Sequence, residues 1–286
     1  MNKTWLILDT PYLCHRAKHS TPELQHEGMS TGILYGVLRD ILTLQQQFQT
    51  KHIVFCWDYG FGLRKTLNIN YKANRVPSTD PVTVEFETEF REQMNKLRQR
   101  YLPKIGFRNV FYQKGYEADD IIASICHKLP KDEYGVIVSG DHDMYQLLSP
   151  NISIYKPGKG TYTARNFKRE FGIPAKHWVY VKALAGCSSD NVKGIQGVGE
   201  KTAIKYMKKQ LNRTHKVYAR IKAEKDAMLK TNVPLVRLPY KGVDTFKLRD
   251  DKVTQKGWDN VCDALGMKSL RDKHAKRKVK GDAPLM

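Results

Sequence analysis

Three short apolar runs, each leading into a carboxylate, constrain this chain more than any other feature. Trp5-Leu6-Ile7-Leu8 runs into Asp9, Ile53-Val54-Phe55-Cys56-Trp57 into Asp58, and Val136-Ile137-Val138 through Ser139-Gly140 into Asp141. Such continuous runs, separated by helical patterns, read as strands buried on both faces in a parallel sheet that helices cover on either side. Between them, Leu34, Val37, Leu38, Ile41 and Phe48 recur at helical spacing over about 31–49, and Phe86, Phe90, Met94, Leu97 and Tyr101 do so over about 84–101. Both stripes are expected to pack into the core. In an open parallel sheet, ligand sites lie beyond the carboxyl ends of the strands. Asp9, Asp58 and Asp141, remote in sequence, are therefore expected to converge.

Two acidic clusters sharpen that expectation. Glu117, Asp119 and Asp120 fall within four residues, where Ala118 onward reads as a helix start with Ile121, Ile122 and Ile125 turned inward. Acidic groups in a first turn suit the helix dipole, yet three of them beside an apolar helix repel one another, and a divalent cation would offset that. The second cluster, Asp141-His142-Asp143, follows a predicted strand. Carboxylate oxygens suit magnesium or manganese, which keep several waters and accept a substrate phosphate as a further ligand. His142 has no His or Cys at zinc-ligand spacing, so zinc is discounted.

Charge points to the partner. The 286 residues carry a formal net charge of +20, and a surplus that large favours polyanions, because neutralised phosphates release their counterions. No stretch approaches the ~20 apolar residues needed to span a bilayer, and the apolar run near Met1 is too short for a signal peptide. Five cysteines without a zinc-like pair suit a reducing, cytoplasmic setting. After about residue 173 the pattern becomes mainly helical. The stretch 212–230 reads as a helix or a polar excursion, and 268–286 as a basic tail that either touches nucleic acid or is simply solvated.

These residues resemble a known family, the 5′-nucleases, which includes phage flap endonucleases and the 5′-nuclease domain of bacterial DNA polymerase I. The resemblance rests on Glu117-Ala118-Asp119-Asp120, on Ser139-Gly140-Asp141-His142-Asp143, and on Ala183 to Asn191 followed by Gly194 to Ala203. Val236-Arg237-Leu238-Pro239 also looks like a segment that returns to the core in polymerase-linked relatives. The resemblance implies an α/β fold with a PIN-like parallel sheet, a helical arch at about 60–100 and a C-terminal helix-hairpin-helix region. It implies a nuclease domain over 1–175, a helical region over 176–267 and a basic tail over 268–286.

The same resemblance assigns roles. Asp9, Asp58, Glu117, Asp119, Asp141 and Asp143 match carboxylates that hold or surround a first metal, Asp120 another member of that set, and Asp190 a second-metal carboxylate. Where relatives carry a second-site carboxylate, this chain has Cys187, a soft ligand poorly matched to magnesium. Arg64, Tyr71, Lys72 and Arg75 fall in the arch, with Lys72 and Arg75 near the scissile phosphate and Tyr71 placed to stack on a base. Gly194, Gly197, Gly199 and Lys201 match a hairpin that grips duplex phosphates; in relatives it can also bind a monovalent cation such as potassium. The implied activity is magnesium-dependent, two-metal cleavage of DNA at 5′ flaps, nicks or free 5′ ends, leaving 5′-phosphate and 3′-hydroxyl. Manganese is expected to substitute, the chain to act as a monomer, and a polymerase to be a partner. RNA of RNA–DNA hybrids stays open as a substrate, and so does a DNA-junction-binding module whose chemistry Cys187 has weakened.

Overall fold

The structure, a computed structural model, describes residues 3–21 and 24–275. All three apolar runs form strands. Thr4–Asp9 lies at the centre of a six-stranded sheet, parallel to His52–Cys56 on one side and to Tyr134–Val138 on the other. Val110–Phe111 extends the first side and Ile152–Lys156 the second, both parallel, and Gly160–Tyr162 closes the edge antiparallel.

Side chains alternate across this sheet because successive Cβ atoms point to opposite faces. Leu6, Leu8, Ile53, Phe55, Val136 and Val138 enter one core with Leu34, Leu38 and Ile41 of helix Gly32–Gln47. Trp5, Ile7, Val54, Cys56 and Ile137 enter the other, where helix Ala118–Lys128 contributes Ile121, Ile122 and Ile125. Burial on both faces is what the unbroken apolar runs required. From the central strand the chain builds outward on one side, then crosses back to place Tyr134–Val138 on the other. The reversal opens a crevice at the carboxyl ends of Thr4–Asp9 and Tyr134–Val138, where such sheets bind ligands.

The predicted helix over 84–101 begins earlier, at Pro81, where Asp80 caps Thr83 N at 2.9 Å and proline occupies the first turn. It runs to Lys96 and continues through a π-helical turn at Leu97–Tyr101. Phe90, Leu97 and Tyr101 are buried as expected, but Phe86 is exposed, as are Val82 and Val84. The first half of this helix stands away from the core. Lys18 ties it to the body, with Nζ 2.5 Å from Glu87 and 4.8 Å from the Phe86 ring centre.

The stretch 212–230 is mostly helical, within Lys216–Val236. Asn232 Nδ2 fastens that helix by donating to Ala183 O at 2.9 Å and Lys193 O at 2.8 Å. Beyond it, residues 237–254 run along the Val110–Phe111 edge, where Asn109 and Arg249 exchange hydrogen bonds of 2.7 and 2.8 Å. Helix Gln255–Ala264 then returns Trp258, Val261 and Cys262 to the core that holds Leu34 and Phe55. Helix Trp178–Ala185 meanwhile shares the opposite core with Trp5 and Ile7. The expected division near residue 175 is thus no break in packing. Lys268–Ala275 of the expected tail is helical, with Leu270 buried; the rest, from Lys276, lies outside the described residues.

Trp258→Ala should lower stability by about 3–5 kcal/mol, the usual cost of removing a large core aromatic. Denaturant unfolding measures this, and an unchanged midpoint would mean that the C-terminal helices are mere appendages.

Candidate active site

The crevice collects the carboxylates that end the strands. Asp9 closes the central strand and caps the next helix, Oδ1 accepting from Tyr12 N at 3.1 Å. Its Oδ2 accepts from the Ser139 hydroxyl at 2.7 Å, and Ser139 Oγ in turn accepts from Asp141 N at 3.1 Å. One serine therefore links two strand ends. Asp58 Oδ1 accepts from Ala118 N at 2.7 Å, joining its strand to the helix that carries Asp119. Burial, assisted by the charges of Asp58 and Asp141 against the Ser139 hydrogen bond, raises Asp9 to about 7. Asp119 is also raised, by burial and then by Asp141, Asp9, Glu117 and Asp58. Among the described residues no basic side chain forms an ion pair with Asp9, Asp58, Asp119 or Asp141. This oxygen-only, uncompensated set has the donor chemistry that a hard divalent cation takes, although among the described residues the group with three ligand atoms within 4.8 Å of one another is Asp143, Cys187 and Asp190.

Three expectations conflict with the geometry. Asp120 is completely buried, and Arg64 fills it with bonds of 2.6 and 2.7 Å to its two oxygens while Tyr240 N donates at 2.7 Å. It is a structural ion pair and not a metal ligand. Arg64 is 3 % exposed and also reaches Glu117 at 3.1 Å, so it cannot meet DNA. Tyr71 is equally buried, donating to Glu117 at 2.9 Å, and has no face for a base. Glu117 is itself taken up by Arg64, Tyr71 and Lys72, so it surrounds the crevice carboxylates with its charge already matched. These residues clasp the base of the arch region to the helix Ala118–Lys128.

A second group lies beside the first. One ligand atom each from Asp143, Cys187 and Asp190 falls within 4.8 Å of the others. Asp143 thus sits with Asp190, although its sequence motif suggested the first metal. Burial and the Asp141 charge raise Asp143 to about 6 against the pull of Lys182, whose Nζ is 2.9 Å away. Burial also raises the Cys187 thiol, opposed by the Ser189 hydrogen bond and by Lys182. Asp190 meets Arg75 at 2.9 Å and Lys72 at 3.7 Å. The turn bearing Lys72 is pinned there, Lys72 N donating to Asp190 O at 2.9 Å and Asn74 Nδ2 to Ser188 O at 3.0 Å. Lys72 is buried, whereas Arg75 is 55 % exposed.

Lys182 and Ser139 are the residues that sequence reasoning missed. A lone lysine inside the apolar run Trp178–Ala185, one turn before Cys187, was the available signal.

The glycine-rich connection separates by role. A Cβ on Gly194 would lie 2.2 Å from Ala185 C, so close packing by itself requires glycine there. Gly197 has φ +78°, and Arg220 donates to the neighbouring Gln196 O at 2.6 Å. Gly199 meets open space and caps helix Glu200–Met207, where Lys201 is exposed. That helix start presents free N–H groups.

Two outcomes follow from this geometry. Arg64→Ala should cost about 3–5 kcal/mol by stranding buried carboxylates, and Arg64→Lys should not rescue it, because an ammonium cannot reproduce the paired bonds; thermal unfolding reads both. Asp9 and Asp143 titrate in the folded chain near 7 and 6 against an ordinary 3.8, so the folded state binds protons that the unfolded state releases. Without divalent ions, their contribution to stability should therefore grow as pH falls from about 8 to about 5. Asp9→Asn should flatten that dependence, and an identical slope in the variant would refute the assignment.

Residues 4–172 match the family described as 5′-3′ exonuclease, N-terminal resolvase-like domain. A 5′-3′ exonuclease of Bacillus subtilis is 34 % identical over 218 residues, covering 72 % of this chain and 70 % of the relative. DNA polymerase I of Thermus filiformis is 30 % identical over 72 % of this chain, a match that spans 24 % of the polymerase. Among solved structures, the T5 D15 protein co-crystallised with metal ions superposes with a TM-score of 0.71 at 20 % identity, covering 96 % of this chain and 97 % of that one. The catalytic core of Rad2 in complex with DNA substrate gives 0.58 at 14 % identity, covering 96 % and 90 %. These likenesses establish the PIN-like α/β fold. The family match and the Bacillus relative go further: this chain belongs to the 5′-3′ exonuclease family.

Proposed function

We propose that the chain cleaves DNA phosphodiesters at 5′ flaps, nicks or free 5′ ends, leaving 5′-phosphate and 3′-hydroxyl, with magnesium as its ordinary cofactor and manganese as a substitute. The observation that carries this reading is the uncompensated set Asp9, Asp58, Asp119 and Asp141 at the sheet's switch point. Asp9, Asp58, Asp119 and Asp141 would hold the divalent ion, which would supply Lewis-acid chemistry to the phosphate and to the attacking water.

The chain's own residues do the rest. Ser139 orients Asp9 and Asp141 together, and Lys182 fixes Asp143 on the side facing Cys187 and Asp190. Arg75 exchanges its Asp190 contact for the scissile phosphate, while buried Lys72 holds positive charge behind it. Gly199, the helix start it caps, and Lys201 receive duplex phosphates, which positions DNA without reading its sequence. A potassium ion at the backbone carbonyls of that connection would strengthen this grip. The fold class gives no reason for more than one copy, and a polymerase that generates flaps is the natural partner. RNA within hybrids stays open as a substrate, because groups that grip phosphates do not by themselves distinguish the sugar.

Asp141→Asn and Asp143→Asn should each reduce cleavage of a labelled 5′-flap by more than the roughly 10- to 100-fold typical of residues that merely support a ligand. Binding of the same flap in the absence of magnesium should stay within about threefold, since phosphate contacts dominate affinity. Turnover retained in both variants would overturn the metal assignment. Wild-type binding without turnover in magnesium or manganese would favour a junction-binding module.

A further inference from the structure

The donors of the second group do not suit the hard ion that a two-magnesium site requires. Magnesium depends on accumulated negative charge and oxygen ligands. Here Asp143 is balanced by Lys182, Asp190 by Arg75 and Lys72, and the third ligand position is a thiol. Asp143 Oδ1 is shielded from solvent, with Lys182 Nζ as its partner at 2.9 Å. Cys187 is buried, with Sγ 3.1 Å from Ser189 Oγ. The other four cysteines, Cys14, Cys56, Cys126 and Cys262, are buried in the two main cores.

From this we infer that Asp143, Cys187 and Asp190 form a site for a sulfur-seeking divalent cation of the zinc and cadmium class, distinct in preference from the oxygen-only set beside it. Bonding to sulfur is partly covalent, so it tolerates the neighbouring ammonium and guanidinium groups better than a purely ionic site does. Two carboxylates and one sulfur leave a fourth position open, the pattern of zinc sites that bind water or substrate. On binding, the Cys187 S–H proton passes to solvent as the metal–sulfur bond forms. Lys182, 3.5 Å from Glu200, can retain that partner when Asp143 turns to the ion. The inference rests on the proposed metal-dependent nuclease reading for the adjacent set and assigns the neighbouring site a different ion.

Cadmium is the test probe, because its thiolate complexes absorb in the ultraviolet by sulfur-to-metal charge transfer. The full chain, saturated with magnesium, is titrated with cadmium and followed by difference absorption. One equivalent of band-forming ion is expected. Cys187→Ser should abolish the band and weaken cadmium binding by about tenfold or more, while manganese binding to the first set, measured by calorimetry, persists. No band in wild type, or a band undiminished in Cys187→Ser, overturns the inference. Loss of manganese binding in wild type would instead overturn the metal reading of the first set.

Discussion

Unbalanced negative charge held at one edge of a buried sheet is the constraint on which the rest of this molecule depends. Parallel strands covered on both faces leave their carboxyl ends as the open edge, and Asp9, Asp58 and Asp141 occupy it. Without a counter-charge, carboxylates so placed favour protonation or a bound cation. Burial first, and then the neighbouring carboxylates, raises Asp9 and Asp119. The helix start at Ala118 adds its own N–H groups, one of which Asp58 uses. Charge, topology and helix dipole meet at one place.

The acidic helix start Glu117–Asp120 shows how one short sequence serves two purposes. Asp120 turns inward and is matched by Arg64, so its charge is settled within the fold. Asp119 faces the crevice and is matched by nothing basic among the described residues. Glu117 stands between, gathering Arg64, Tyr71 and Lys72. The clasp therefore ties residues 64–72 to the helix start that carries Asp119.

Much of this was legible in the sequence because period and punctuation are local properties. The apolar runs specified the strands, and their terminal carboxylates specified the crevice. Motif order supplied the family resemblance. What stayed hidden depended on long-range partners. Nothing near Asp120 in sequence indicates that Arg64 will neutralise it from the far side of the arch base. Tyr71 looked like a stacking residue because its burial is created by segments more than 40 residues away, including Glu117 and Asp190. Gly194 read as a phosphate contact, yet its missing side chain makes room for Ala185. Lys182 was overlooked because a single charge in an apolar helix has no period.

The return of the C-terminal helices to the first core has a consequence for synthesis. One face of the sheet meets Trp258, Val261 and Leu270 only once residues far downstream of its strands have been made. Tyr240, which completes the shell around Asp120, arrives almost as late. Contacts of such sequence separation close large loops and slow assembly. On a ribosome emitting residues from the N-terminus, the strand-end carboxylates emerge early while the packing that aligns them waits. The acidic positions from Asp9 to Asp143 would thus be made well before Tyr240 and the helices that carry Trp258 and Leu270, the segments that fix their surroundings.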